Sequence, residues 1–221
     1  MVVVGMIKNN SDRTSIIIIR HGECKGNKEG LFRGRSDFPL NETGVRQAKE
    51  VARAIKIMHP TIIFTSPLKR AMQTAEAIRQ ECNIEIEERE GLNNIMLGPW
   101  EGQPKDYIAQ KYPEQWKVWL NEPEKLDIPG VESLDEVQER AKSDLENIIE
   151  QHWGETFVIV SHRAVLKPLV ASCLGIKKPY FWRIHLDTAS YSILHYQKRV
   201  GYILVQLNQN KHLSEFITEW Q

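Results

Sequence analysis

The stretch SIIIIRHGECKGN, residues 15–27, runs four consecutive isoleucines directly into Arg20 and His21. A short run of β-branched residues with no polar alternation predicts a strand that is buried on both faces. Burying Arg20 and His21 costs free energy unless each has a partner, so their position at the end of such a strand indicates a site for an anion. We therefore expect this strand to be central in the fold and its end to be functional.

Composition and charge exclude several classes of partner. The chain has 221 residues, of which 41% are hydrophobic and 26% charged, which is typical of one globular domain over residues 1–221. Lys plus Arg and Asp plus Glu number 29 each, so net charge favours neither nucleic acid nor an anionic membrane as a partner. Residues 1–10 lack the cationic start and long apolar middle of a signal peptide, and we predict a cytoplasmic protein.

The cysteines predict neither a disulfide framework nor a metal site. Cys24, Cys82 and Cys173 are odd in number and form no CxxC pair. Such spacing favours reduced thiols, and no other cluster has the spacing of metal ligands. We expect no metal and no cofactor.

Short apolar runs alternate with helical patterns along the chain. Strands are predicted at residues 16–19, 61–65, 84–87 and 156–160. Helices are predicted at residues 44–58, with Val45, Ala48, Val51, Ala52 and Ile55 on the buried face. A second helix should be capped by Ser66 with Pro67 at its first position, and a third should run from the capping box of Ser133 and Glu136 through Ile149.

This alternation predicts an α/β fold: a mainly parallel sheet with helices on both faces. Residues 191–196 and 202–207 are predicted to close the sheet as a pair of strands. Residues 98–131, rich in tryptophan and proline, are predicted to form a helical insertion over the strand ends. Residues 208–221 form a C-terminal tail.

Two more strand ends carry groups that bind anions. Arg70 follows the strand at residues 61–65, and His162 follows the strand at residues 156–160. The carboxyl ends of parallel strands meet at one edge of a sheet, so these side chains should converge with Arg20 and His21. Arginine binds phosphate oxygens in pairs, and imidazole can attack phosphorus, so the pattern predicts a phosphate site.

Several motifs in the same order resemble the histidine phosphatase superfamily, also called phosphoglycerate mutase-like. They are RHGE at 20–23, FRGRSDFPLNETG at 32–44, SPLKRAMQTAEAI at 66–78, WEG at 100–102, GVESLDEV at 130–137 and VIVSH at 158–162. The resemblance covers roughly residues 15–207. It implies a phosphoglycerate mutase-like fold and phosphoryl transfer through a phosphohistidine, with inorganic phosphate or a small phosphorylated metabolite as the ligand.

The resemblance also implies roles for individual residues. His21 would be the nucleophile, and Arg20, Arg70 and His162 would complete the phosphate pocket. Asn27 matches a position that contacts phosphate. Arg33 and Gly34 match the loop that approaches the rest of the substrate.

The chain departs from the family pattern at Asn94. Members of the superfamily usually carry a glutamate here that protonates the leaving oxygen, and a carboxamide cannot supply a proton at neutral pH. Glu90, Glu101 or Glu23 are the alternative acids, although a different backbone position rarely gives the same reach. A second departure is Arg163, where many members have glycine after the Ser-His pair.

Three functions remain open from the sequence. The first is a metal-independent phosphomonoesterase, with phosphoserine the leading substrate because the tail at 205–220 resembles that branch of the superfamily. The second is a pseudophosphatase that binds phosphate and acts as a regulatory subunit, and the third is a phosphoglycerate mutase. His212 in the tail is predicted to meet a substrate carboxylate, with packing of the tail on the sheet or on a dimer partner as the alternative. A homodimer or a heteromer with an active relative is a further partner prediction.

Overall fold

The computed structural model describes residues 12–217 of the chain. The sequence interpretation of residues 1–10 and the last residues of the tail, 218–221, lie outside this range.

One six-stranded sheet organises the fold. Its strands are β1 (Thr14–Arg20), β2 (Ile62–Thr65), β3 (Glu85–Glu88), β4 (Thr156–Ser161), β5 (Tyr191–Gln197) and β6 (Gly201–Gln209). The order is β3-β2-β4-β1-β5-β6, with β1 to β4 mutually parallel and the β5–β6 hairpin antiparallel. The predicted strands, the closing pair and the internal position of β1 are confirmed.

Within residues 12–217, six α-helices connect and cover these strands. They are α1 (Glu42–Lys56), α2 (Lys69–Cys82), α3 (Lys105–Lys111), α4 (Pro113–Asn121), α5 (Leu134–Gln151) and α6 (Arg163–Leu174). The capping box predicted for α5 is present, since Ser133 and Glu136 bond reciprocally. The predicted cap of α2 is wrong: the helix begins at Lys69 after Leu68, and Asp37 rather than Ser66 accepts from the backbone N–H of Lys69, at 2.7 Å.

The side chains of β1 alternate between two apolar layers. Ile16 and Ile18 pack in a cluster with residues of α5 and α6, whereas Ile17 and Ile19 pack with residues of α1 and α2. Helices therefore cover both faces of the sheet, as predicted. The predicted buried face of α1 is right except at Val45, which lies 41% exposed.

The segment between β3 and α5 lies over the strand ends. It contains α3 and α4, and its residues Lys105 and Trp119 line the cleft at that edge of the sheet. Among residues 12–217, no helix is long and apolar enough to cross a bilayer. The same residues contain no group of three or more His, Cys, Asp and Glu side chains placed to hold a metal ion.

Candidate active site

His21 lies at the carboxyl end of β1 and is 2% exposed. Its Nδ1–H donates to the backbone carbonyl of Gly22 at 2.7 Å, because a carbonyl oxygen can only accept. That bond fixes the tautomer and leaves the lone pair on Nε2, which is the atom that a nucleophilic imidazole uses. The partner that orients His21 is thus a main-chain oxygen, which no side-chain motif could have revealed.

His162 lies beside His21 at the end of the neighbouring strand β4. The two ring centroids are 5.1 Å apart, and His162 is 1% exposed. Its Nε2 hydrogen-bonds the hydroxyl of Ser66 at 2.7 Å. Ser66, predicted to be a helix cap, instead positions an imidazole of the candidate site.

Both imidazoles have pKa values well below that of an ordinary histidine. Burial is the largest cause of the lowered pKa of His21, followed by the positive charges of Arg70, Arg20 and Arg33. The pKa of His162 is lowered by burial and then by Arg70. Each ring is therefore neutral at pH 7, which is the form that can attack phosphorus.

Arg20 and Arg70 are buried cations behind the two imidazoles. Arg20 Nη1 donates to the carbonyl of Leu186 at 2.8 Å. Arg70 donates to the carbonyls of Ser36 and Gly34, each at 2.8 Å. Burial lowers the pKa of Arg70 to about 10, which still leaves the guanidinium charged at neutral pH. The structure thus brings together the four residues that sequence reasoning placed at one edge of the sheet.

The loop after β1 supplies the next part of the site. Asn27 Oδ1 accepts from the backbone N–H of Cys24 at 2.9 Å, and Arg33 Nη1 donates to the carbonyl of Gly26 at 2.9 Å. Gly34 has φ of +48°, and a Cβ there would lie 2.6 Å from Oε1 of Glu101. A side chain at this position would therefore disturb the turn that places Arg33 in the cleft.

Asn94 lies in the same cleft as His21. Its Nδ2 donates to the carbonyl of Gly34 at 2.7 Å. The backbone carbonyl of Asn94 accepts from Arg35 Nε at 3.1 Å. The Oδ1 atom is buried and has no hydrogen-bond partner among residues 12–217. The carboxamide is therefore anchored at the site, and it has no acidic proton to give.

Each of the three alternative acids has at least one carboxylate oxygen bonded to a group other than Asn94. Glu101 Oε1 accepts from the backbone N–H of Leu97 at 2.9 Å. Glu23 is buried and accepts from Asn41 at 2.7 Å. Glu90 contacts Arg35 and Asn93. None of the three is among the described residues that line the cleft.

The wall of the cleft has a polar and an apolar part. The polar part consists of His21, Arg33, Asn94, Lys105, His162 and Arg163. The remainder is Leu31, Phe32, Gly34, Ile95, Leu97, Trp119, Ala164 and Phe181. Lys105 and Trp119 belong to the insertion predicted over the strand ends, but nothing in the sequence indicated that these two residues, or Phe32 and Phe181, line the cleft.

His212 lies outside the lining of the cleft. Its Nε2 donates to the carbonyl of Ala189 at 3.0 Å, and its ring packs against Tyr191. The tail also contacts α1, where Gln47 Nε2 donates to the carbonyl of Glu215 at 3.0 Å. This position agrees with the packing alternative, and the contact of His212 with a substrate carboxylate stays a prediction.

The lowered pKa values give a prediction for the ligand-free protein. The C2 proton resonances of His21 and His162 should titrate with midpoints well below pH 6.5 in NMR spectra. The unfolded chain binds these protons more readily, so the stability due to the neutral rings is present above pH 6.5 and is lost as pH falls below that value. A midpoint at or above pH 6.5 for either ring would contradict the burial of that ring and the effect of the nearby arginine charges.

Comparison with known proteins places these features in a family context. The model of the family described as histidine phosphatase superfamily (branch 1) matches residues 16–210. Phosphoserine phosphatase 1 of Hydrogenobacter thermophilus is 37% identical over 204 residues, covering 92% of this chain and 96% of the relative.

Two further relatives are a plant protein and a solved structure. A metal-independent phosphoserine phosphatase of Arabidopsis thaliana is 34% identical over 166 residues, covering 74% of this chain and 70% of that protein. The crystal structure of phosphoserine phosphatase from Entamoeba histolytica, in complex with 3-phosphoglyceric acid, superimposes with a TM-score of 0.80 at 29% identity. That alignment covers 90% of this chain and 99% of the other.

Proposed function

Because this chain belongs to the histidine phosphatase superfamily and has its phosphoglycerate mutase-like fold, we propose that it hydrolyses phosphomonoesters through a phosphohistidine at His21. The observation that carries the proposal is the hydrogen bond from His21 Nδ1–H to Gly22 O, which leaves Nε2 of a neutral ring as a nucleophile. The ring lies at the end of β1, and the positive charges of the buried Arg70 and Arg20 lower its pKa.

The reaction has two steps. In the first, His21 Nε2 attacks phosphorus, the P–O bond to the alcohol breaks, and the leaving oxygen takes a proton from solvent water, since Asn94 has none to give. In the second, a water molecule attacks the phosphohistidine and releases a proton to solvent, the N–P bond breaks, and phosphate leaves with neutral His21 restored. Arg20 and Arg70 stabilise the charge on the equatorial oxygens, which is the main task of a protein in phosphoryl transfer.

Phosphoserine is the leading substrate. The support is the name of the Hydrogenobacter relative and of the Entamoeba structure, each a phosphoserine phosphatase. Protonation of the serine oxygen is the slow step of the proposed reaction, since Asn94 occupies the position of the usual acid. We therefore expect slow hydrolysis of alkyl phosphates such as phosphoserine.

A binding or regulatory role is the second candidate, and Asn94 is the observation that favours it. Its amide is held by Gly34 O inside the cleft, and the phosphate-binding groups remain in place. A protein with this site would bind phosphorylated ligands and turn them over too slowly for metabolism.

Trapping of the intermediate tests the proposed function. Incubation with p-nitrophenyl phosphate, followed by an alkaline quench and mass spectrometry of peptides, should find phosphate on His21. Phosphate that is absent from His21 while p-nitrophenol is released would refute the phosphohistidine route. Phosphate and vanadate binding without any release of p-nitrophenol would favour the regulatory role.

Chelators should leave the activity unchanged. Arg20, Arg33 and Arg70 already supply the positive charge that a metal brings to phosphoryl transfer. Hydrolysis of p-nitrophenyl phosphate should therefore proceed at the same rate before and after dialysis against EDTA. A loss of rate that a divalent ion restores would overturn this mechanism.

A further inference from the structure

Gln47 is a buried polar residue of α1 that lies beside the loop after β1, and it is 1% exposed. Its Oε1 accepts from the backbone N–H of Glu23 at 2.8 Å, and its Nε2 donates to the carbonyl of Glu215 at 3.0 Å. An N–H can only donate and a carbonyl can only accept, so both bonds require the same orientation of the amide. The two-step reaction at His21 uses neither end of this amide.

Two glycines bring the loop after β1 against α1. A Cβ at Gly22 would lie 2.7 Å from the carbonyl oxygen of Gly44, and a Cβ at Gly44 would overlap the carbonyl oxygen of Glu23. A side chain at either position would therefore push the loop away from the helix. This close approach lets Gln47, one turn further along α1, bond to the backbone of the loop.

The peptide bond between Gly22 and Glu23 connects Gln47 to the nucleophile. Its carbonyl oxygen accepts from Nδ1–H of His21 at 2.7 Å, and its N–H donates to Gln47. A trans peptide is planar with its C=O and N–H on opposite sides, so a bond that fixes the N–H also fixes the direction of the C=O. The bond to Gln47 also polarises the peptide, which makes its carbonyl a better acceptor for His21.

Loss of the bond to Gln47 would allow the Gly22–Glu23 peptide to rotate, because glycine tolerates many backbone angles. A rotated peptide would present its N–H to Nδ1 of His21 in place of its carbonyl. That arrangement favours a proton on Nε2, which then has no lone pair to attack phosphorus.

The two neighbouring peptides have bonds of their own. The N–H of Gly22 donates to Thr74 Oγ1 at 3.1 Å, and the carbonyl of Glu23 accepts from the backbone N–H of Asn41 at 3.1 Å. These bonds do not involve Gln47. The effect of Gln47 is therefore specific to the peptide whose carbonyl bonds to His21.

We propose that Gln47 is a positioning residue that sets the tautomer of His21 through the Gly22–Glu23 peptide. The inference rests on the proposed function, because the tautomer matters for catalysis only if Nε2 of His21 is the nucleophile. The carbonyl of Glu215 in the C-terminal tail keeps the amide of Gln47 in the required orientation. An amide turned the other way would present Nε2 to the N–H of Glu23, and two donors do not bond.

Histidine-selective ¹⁵N NMR of the ligand-free protein at neutral pH tests this role. In the unmodified protein, His21 should carry its proton on Nδ1 and a lone pair on Nε2. Gln47→Met keeps the length of the side chain but has no oxygen to accept from Glu23, so the Nε2–H tautomer of His21 should become populated. Gln47→Glu should keep the original tautomer, because either carboxylate oxygen can accept from the N–H of Glu23.

The same variants should differ in catalysis. In Gln47→Met, kcat on p-nitrophenyl phosphate should fall about tenfold or more, which corresponds to the loss of one hydrogen bond that supports the transition state. Gln47→Glu should retain most of kcat. Inorganic phosphate should bind both variants as it binds the unmodified protein, because Arg20 and Arg70 keep their carbonyl partners, and this binding also shows that the variants are folded.

Gln73→Met is the matched control. Gln73 Oε1 also accepts from a loop N–H, that of Leu40 at 2.7 Å, but it lies on α2 and does not bond to the Gly22–Glu23 peptide. The control should keep the tautomer of His21 and full kcat. An equal loss of kcat in Gln73→Met and Gln47→Met, with the tautomer unchanged in both, would show general loosening and overturn the positioning role.

The remaining outcomes separate this role from the proposed function. A Gln47→Met protein that binds phosphate and keeps both the Nδ1–H tautomer and full kcat would overturn the role of Gln47 and leave the proposed function standing. Loss of the tautomer in Gln47→Glu as well would also overturn it, since that variant retains the acceptor. If the tautomer changes only in Gln47→Met but the unmodified protein forms no phosphohistidine, the positioning of the ring stands and the proposed function fails.

Discussion

Replacing His21 by asparagine should reduce the hydrolysis of p-nitrophenyl phosphate on the order of 10⁴-fold or more, as removal of a nucleophile does elsewhere. The amide of asparagine cannot form the covalent intermediate. Arg20 Nη1 donates to the carbonyl of Leu186, and Arg70 donates to the carbonyls of Ser36 and Gly34, so these bonds remain when the ring is lost. We therefore expect kcat to fall while the affinity for phosphate changes little.

His59→Asn is the matched control for this variant. His59 is exposed in the turn after α1 and has φ of +51°, a conformation that asparagine tolerates. The control should keep full activity on p-nitrophenyl phosphate. Residual activity of His21→Asn within tenfold of the unmodified protein would show that water attacks phosphorus directly and that no phosphohistidine is required.

The central part of this fold could be predicted from the sequence because each signal was local. Four isoleucines can be buried on both faces only inside a covered sheet, and Ile16 to Ile19 do alternate between two apolar layers. The convergence of His21 and His162 followed from topology alone, since the carboxyl ends of parallel neighbours share one edge.

The groups that orient the site could not be predicted in the same way. Gly22 and Leu186 act through backbone carbonyls, which leave no trace in residue type. Ser66 had two physically reasonable uses, and its sequence position before Pro67 favoured the wrong one. Its true partner, His162, is 96 residues away, so only the packed structure decides between them.

The tail lies close to the end of β1. His212, predicted to meet a substrate carboxylate, donates to Ala189 O. The backbone N–H of Ala189 in turn donates to the carbonyls of Arg20 and His21, at 3.0 and 3.2 Å. The tail thus contacts a residue that supports the end of β1, and contact of His212 with the substrate stays a prediction.

Replacing Asn94 by glutamate should raise the turnover of phosphoserine by about 10²–10⁴-fold, which is the usual contribution of a general acid. Serine alkoxide is a poor leaving group and needs a proton, whereas p-nitrophenolate leaves almost without one. The hydrolysis of p-nitrophenyl phosphate should therefore change far less. Gly34 O, which now accepts from the amide of Asn94, favours the protonated form of a carboxyl placed beside it.

Asn94→Gln separates the acid from the length of the side chain, because glutamine matches glutamate in shape and has no proton to donate. Only the glutamate variant should gain activity on phosphoserine. If neither variant gains on any phosphomonoester, the missing acid is not the only obstacle, and the regulatory role becomes the better account of this cleft. If the unmodified chain already hydrolyses phosphoserine as fast as Asn94→Glu does, another group supplies the proton. Glu23 is then the first residue to replace, because its Oε2 is buried with no hydrogen-bond partner among residues 12–217 and it lies only two positions after His21.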